Sequence, residues 1–204
     1  GAIPDILTKA LQVSFDRNVG HDYIEDVDGR FDFYHRVEEK MPFDIDMLNT
    51  ITNGGITNKT LNIILAGTGV GKSLAMCHFA AAALDQGKNV LYVTLEMAEE
   101  RIAERIDANL MDTPIDQLNA LSKNQFTEKI DKIKAKTRGR LIIKEYPTAS
   151  AHVGHFRALL NELELKKDFK PDVVFVDYLN ICASSRIKGL GGNAGTYHMV
   201  KAIA

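Results

Sequence analysis

Three groups of residues in this chain have the types and spacing to handle a nucleotide. Gly67-Thr68-Gly69-Val70-Gly71-Lys72-Ser73 is a glycine-rich turn closed by Gly-Lys-Ser. Glycines let the backbone wrap so that successive N–H groups point inward at phosphate oxygens, and a following helix adds its positive end. Lys72 supplies a point charge to the terminal phosphates and Ser73 a hydroxyl to a magnesium ion. The general pattern asks for glycine six residues before the lysine, where this chain carries Ala66. Glu96 follows the apolar run Val90-Leu91-Tyr92-Val93-Thr94-Leu95. A carboxylate there could polarise the water that attacks a terminal phosphate; a solvated loop glutamate or a helix cap is the alternative. Asp177 ends Val173-Val174-Phe175-Val176. Many strands end in aspartate, but beside a phosphate loop such a carboxylate is placed to hold magnesium opposite Ser73.

These groups need strands ending at one edge of a sheet. The apolar run Leu61–Leu65 predicts a strand feeding the glycine loop, and Leu74–Leu84 predicts the helix leaving it, closed by Gly87. Further strands are expected over 89–95, 141–146 and 172–177. Helices are expected over about 29–40, 98–110, 122–137 and 153–166, with Ser122-Lys123-Asn124-Gln125 as a capping box and a short helix opened by Thr113-Pro114. Strand alternating with helix argues an α/β fold: a mostly parallel sheet covered by helices on both faces. The expected organisation is a helical linker over 1–40 and an ATPase core over 41–204. Ile3, Leu7 and Leu11 give the linker a short apolar stripe, which must dock on its own domain or on a neighbour.

Net charge is −2, so contact with a polyanion must come from locally focused cations. Arg186 and Lys188, in a stretch with four glycines after the Asp177 strand, are the candidates for meeting nucleic-acid phosphates; a solvated connection is the plain alternative. Cys77 and Cys182 lie within apolar runs and read as buried free thiols. His152 and His155 lack an evident third ligand and read as surface residues, and Arg101 and Arg105 as an outer helix face. No apolar run is long enough to span a membrane. The last residues, Met199–Ala204, look like part of an unfinished helix, which predicts a fragment of a longer protein.

The segments Ala66–Ser73, Tyr92-Val93-Thr94-Leu95-Glu96-Met97 and Val176-Asp177-Tyr178-Leu179 resemble the core motifs of DnaB-type replicative helicases, members of the RecA-like ATPases, in which alanine also occurs at the first loop position. Val13-Ser14-Phe15-Asp16, Val19-Gly20-His21-Asp22 and Arg105-Ile106-Asp107-Ala108-Asn109 resemble the T-even bacteriophage branch of that family. The resemblance implies a RecA-like P-loop core, incomplete at its C-terminus, that hydrolyses ATP with magnesium. It implies Glu96 as the catalytic glutamate, Lys72 and Ser73 on phosphate and magnesium, and Asp177 as the magnesium-side acid. It further implies a homo-hexamer on single-stranded DNA, a primase and a helicase loader as partners, and work in the cytoplasm of a bacterial host. A RecA-like recombinase or regulator, and a nucleotide-binding module without turnover, share the same loop.

Overall fold

A computed structural model describes residues 22–183. The chain divides into two compact units, residues 1–39 and 40–204. In the first, helix α1 spans Val27–His35. Asp26 accepts a hydrogen bond from the Gly29 N–H at 3.2 Å and so starts the helix two residues earlier than expected. Arg36 is already extended, so the expected continuation to residue 40 does not occur. The Ile3–Leu11 stripe lies outside the described residues.

The second unit opens with a two-stranded antiparallel ladder, β1 (Lys40–Met41) with β2 (Ile56–Thr57), closed around helix α2 (Asp46–Ile51). Lys40 Nζ donates to the carbonyls of Thr52 and Asn53 at 3.2 and 2.9 Å, satisfying acceptors at the end of α2. Gly55 needs to be glycine: its φ is +122°, and a Cβ would overlap the Met41 carbonyl.

The core is a three-stranded parallel sheet in the order β4–β3–β5, with β3 at Val90–Thr94, β4 at Leu141–Glu145 and β5 at Val173–Asp177. Strand side chains alternate between faces, and both faces of β3 are buried. Val90 and Tyr92 pack against helix α3 (Lys72–Asp85) and helix α4 (Glu99–Leu110) through Met76, Cys77, Ala80, Ile102 and Ile106. Leu91 and Val93 pack the other way, against helix α7 (Val153–Lys167) through Leu163 and its flanks. Helices therefore cover both faces, as an α/β parallel sheet requires. The alanines of α3, Ala80 to Ala83, are all buried; short side chains let the helix lie close on the sheet.

Helix α5 (Ile115–Leu118) follows Pro114, and helix α6 (Lys123–Lys136) starts at the expected capping box. Ser122 Oγ accepts from the Gln125 N–H at 3.3 Å, and Gln125 Oε1 accepts from the Ser122 N–H at 2.9 Å. His152 and His155 make a second, unexpected capping box at α7, with the Gly154 N–H donating to His152 Nδ1 at 2.9 Å.

One expected strand is absent. Residues 61–65 belong to no ladder, and Leu61, Ile63 and Leu65 are exposed, the last at 94%. Lys59 takes a left-handed φ of 61° after β2, and the run beyond it pairs with no strand among the described residues. An apolar run specifies burial, whereas a strand also needs a neighbour to hydrogen-bond. No helix among the described residues is long and apolar enough to cross a membrane.

Candidate nucleotide site

The glycine loop keeps its expected geometry without the feeding strand. Gly69 has φ 74° and Gly71 φ 103°, both in the region L side chains rarely adopt. Gly71 is the N-cap of α3 and its carbonyl accepts from the Ala75 N–H at 2.9 Å. No side chain among the described residues caps this helix, so its first N–H groups are open to solvent or to an anion. Lys72 and Ser73 are its first two residues, both half-buried, while Gly67 to Gly71 are exposed.

Asp177 is the last residue of β5 and pairs in register with Thr94, the last residue of β3. The Leu95 N–H donates to the Asp177 carbonyl at 2.8 Å, which ties the two strand ends together. The Asp177 side chain is fully buried. Its Oδ2 accepts from the Tyr92 hydroxyl at 3.0 Å, while Oδ1 has no hydrogen-bond partner among the described residues. Tyr178 follows, and Lys72 Nζ lies 3.6 Å above the centre of its ring. Thus the lysine of the glycine loop, the buried carboxylate and the end of β3 meet at the carboxyl edge of the sheet, where ligands gather in open parallel sheets.

Glu96 lies in the bend between β3 and α4, with its side chain exposed. Thr94 closes that bend: its Oγ1 donates to the Met97 carbonyl at 2.8 Å and accepts from the Met97 N–H at 3.1 Å. Glu96 does not cap α4. The Glu99 N–H donates instead to Glu145 Oε2 at 3.3 Å, from the end of β4. Of the two plain alternatives for Glu96, the solvated loop glutamate stands beside the hydrolytic one.

Burial pushes the Tyr92 phenol far above its ordinary range, helped by the neighbouring Cys77 and Asp177. Burial also raises the Cys77 thiol. Both groups stay protonated and act as donors, Cys77 Sγ to the Tyr92 oxygen at 3.9 Å and Tyr92 to Asp177. Neither Tyr92 nor Tyr178 stood out in the sequence as more than part of a motif. The lone tyrosine of β3, among Val, Leu and Thr, is the one signal that a buried polar partner was waiting for it.

Asp177 Oδ1 is an orphaned buried acceptor, and Ser73 stands at the start of the helix beside the loop. Together with Lys72 and the uncapped α3 N-terminus, this donor set fits a magnesium-bound nucleotide phosphate. No cluster of three or more metal-ligating side chains occurs among the described residues. A cavity of about 530 Å³ lies at the other end of α3, lined by Asp85, Met111, Lys129 and Lys136 among others. That end is ~20 Å from Lys72 at 1.5 Å per residue, and the cavity belongs to no part of this site. Arg186 and Lys188 lie outside the described residues.

The DnaB-like helicase C terminal domain family matches residues 41–193. The chain is 49% identical over 207 aligned residues to a DnaB-like replicative helicase of Enterobacteria phage T4; the match covers all of this chain and 43% of that protein. It is 30% identical over 105 residues to a probable plasmid replicative DNA helicase of Chlamydia psittaci, covering 50% of this chain and 22% of that protein. A solved DnaB-like replicative helicase, described with its interactions with primase, superposes with a TM-score of 0.64 at 15% identity, over all of this chain and 47% of that one. The chain thus spans less than half the length of these relatives. With its parallel sheet, glycine loop and matched residues taken together, the chain belongs to the DnaB-like helicase family and has the RecA-like α/β core of that family's C-terminal domain.

Proposed function

We propose that this chain is the ATP-hydrolysing core of a replicative DNA helicase, one that moves along single-stranded DNA and separates duplex at the replication fork. The observation that carries the reading is the Asp177 carboxylate, buried beside the lysine of a glycine loop with Oδ1 unpartnered. An unsatisfied buried acceptor costs about 1–3 kcal/mol, more for a charged group, and a bound cation offsets that cost.

In this reading the α3 N-terminus and the loop N–H groups bind the phosphates. Lys72 leaves the Tyr178 ring to pair with the terminal phosphate. Ser73 Oγ and Asp177 Oδ1 hold magnesium, directly or through water. Magnesium, when bound, draws negative charge off the phosphate oxygens as it builds up. Glu96 orients the attacking water and takes its proton on the side-chain carboxylate. Its exposure leaves that carboxylate free to reach a bound nucleotide.

The reading extends to partners. The relatives are replicative helicases, and the similar solved structure is described with primase. We therefore assign a homo-hexamer on single-stranded DNA, with a primase and a helicase loader, in the cytoplasm of a bacterial host. Arg186 and Lys188 are proposed to meet the strand's phosphates. The test is a fork-duplex unwinding assay on the full protein, run beside a strand-exchange assay. Unwinding that needs both ATP and magnesium supports the reading. Strand exchange without unwinding would assign a recombinase, and nucleotide binding with neither would leave a binding module.

A further inference from the structure

Asp177 serves a cation better if its carboxylate is held in one rotamer with one oxygen free, and the Tyr92 hydroxyl is placed to hold it. Its ring is fully buried, in the central strand, stacked on Phe175 at 5.8 Å and 17°. Phe175 is its register partner on β5, and Asp177 lies two residues further along the same face. Such diagonal neighbours are within reach of an aromatic side chain, and the phenol closes the gap with its 3.0 Å bond to Oδ2. A fixed phenol on Oδ2 leaves Oδ1 as the open oxygen.

The other side of the phenol faces α3. Cys77 approaches the Tyr92 oxygen at 3.9 Å, and Cys77 is one helical turn after Ser73. The Tyr92 hydroxyl thus spans the gap between the phosphate-binding helix and the strand that carries the carboxylate.

We propose that Tyr92 is a positioning residue of the nucleotide site: its hydroxyl orients the Asp177 carboxylate and sets its distance from the Lys72–Ser73 helix end, so that Oδ1 is presented to the magnesium of the bound nucleotide. The proposal rests on the assignment of Asp177 as the magnesium-side acid. A partner that orients a metal-binding group typically changes metal affinity by about 10- to 100-fold; the low end applies where magnesium is also held by phosphate.

The experiment is a magnesium titration of the full protein with a fluorescent N-methylanthraniloyl ADP, comparing wild type, Tyr92→Phe, Asp177→Asn and the double variant. Tyr92→Phe keeps the ring and its stacking. Thermal melting, with titration below every melting transition, separates loss of fold from loss of function. The expected result is a rise of about tenfold in the magnesium concentration for half-saturation in Tyr92→Phe, with nucleotide affinity in EDTA unchanged. In the Asp177→Asn background, Tyr92→Phe should then have no further effect. An unchanged half-saturation in Tyr92→Phe, where Asp177→Asn raises it, would overturn the role of Tyr92 alone. No change in Asp177→Asn either would overturn the magnesium assignment and this role with it. A fall in affinity that is equal with magnesium and with EDTA would mark Tyr92 as a packing residue.

Discussion

Lys72 is not idle before a nucleotide arrives. Its ammonium lies 3.6 Å over the Tyr178 ring, and in the proposed site a bound phosphate would draw it away. The contact with phosphate is a charge-assisted hydrogen bond worth about 1.5–3 kcal/mol. The cation–π contact at a half-exposed site is worth about 0.5–1 kcal/mol. Lys72→Ala removes both, so the net loss of binding energy is their difference, about 0.5–2.5 kcal/mol. At about 1.4 kcal/mol per decade this is a two- to sixtyfold loss of affinity. Tyr178→Leu removes only the competing contact and should tighten binding by about two- to fivefold. In the double variant Tyr178→Leu has nothing left to release, so its affinity should equal that of Lys72→Ala, within the usual scatter of about 0.3–0.5 kcal/mol. Calorimetric titration of ATP with magnesium reads all four corners. Equal affinity in wild type and Lys72→Ala, or weaker binding in Tyr178→Leu, would refute the reasoning.

Two further predictions concern stability. Gly55→Ala forces a Cβ onto the Met41 carbonyl at a φ of +122°, which should cost at least about 1–3 kcal/mol and lower Tm by about 2–4 °C per kcal/mol; an unchanged melting curve would mean the β1–β2 ladder can shift freely. Burial raises the Asp107 carboxyl on α4 above its ordinary value, so the native state keeps that proton to higher pH than the unfolded chain does. Its contribution to stability therefore falls as pH rises from the ordinary carboxylate value through the raised one. The stability of Asp107→Asn relative to wild type should grow across that window and then level off, as read by urea unfolding at several pH values.

What could be read from the sequence was what depends on neighbours in the chain. Ser122 and Gln125 announce a helix start because a capping box is closed within four residues, and the helix begins at Lys123. The apolar runs expected as strands over 89–95 and 172–177 form β3 and β5, over Val90–Thr94 and Val173–Asp177. The run 61–65 carries the same apolar signal, yet forms no strand, because pairing depends on an edge elsewhere in the chain. Gly69 and Gly71 were legible as a wrapped loop, since their left-handed φ values are what glycine permits. The Tyr92–Asp177 bond joins residues 85 apart; the lone tyrosine of β3 signals a polar partner, but nothing local to it says which one. His152 and His155 were legible as a pair three apart but not as reciprocal caps, because a ring nitrogen at an N-cap is outside the usual Ser, Thr, Asp and Asn set.

Whether the carboxyl edge of this sheet hydrolyses ATP is tested most directly at Glu96. Glu96→Gln keeps the shape of an exposed side chain in a bend closed by Thr94, and removes only the group that can take a proton from water. The measurement is ATP turnover by the full protein, with ATP affinity measured on the same sample. The account predicts affinity near that of wild type and turnover lower by about a hundredfold or more, the usual scale for a lost general base. Turnover near that of wild type, with binding intact, would contradict it and leave Glu96 a solvated glutamate at a strand end.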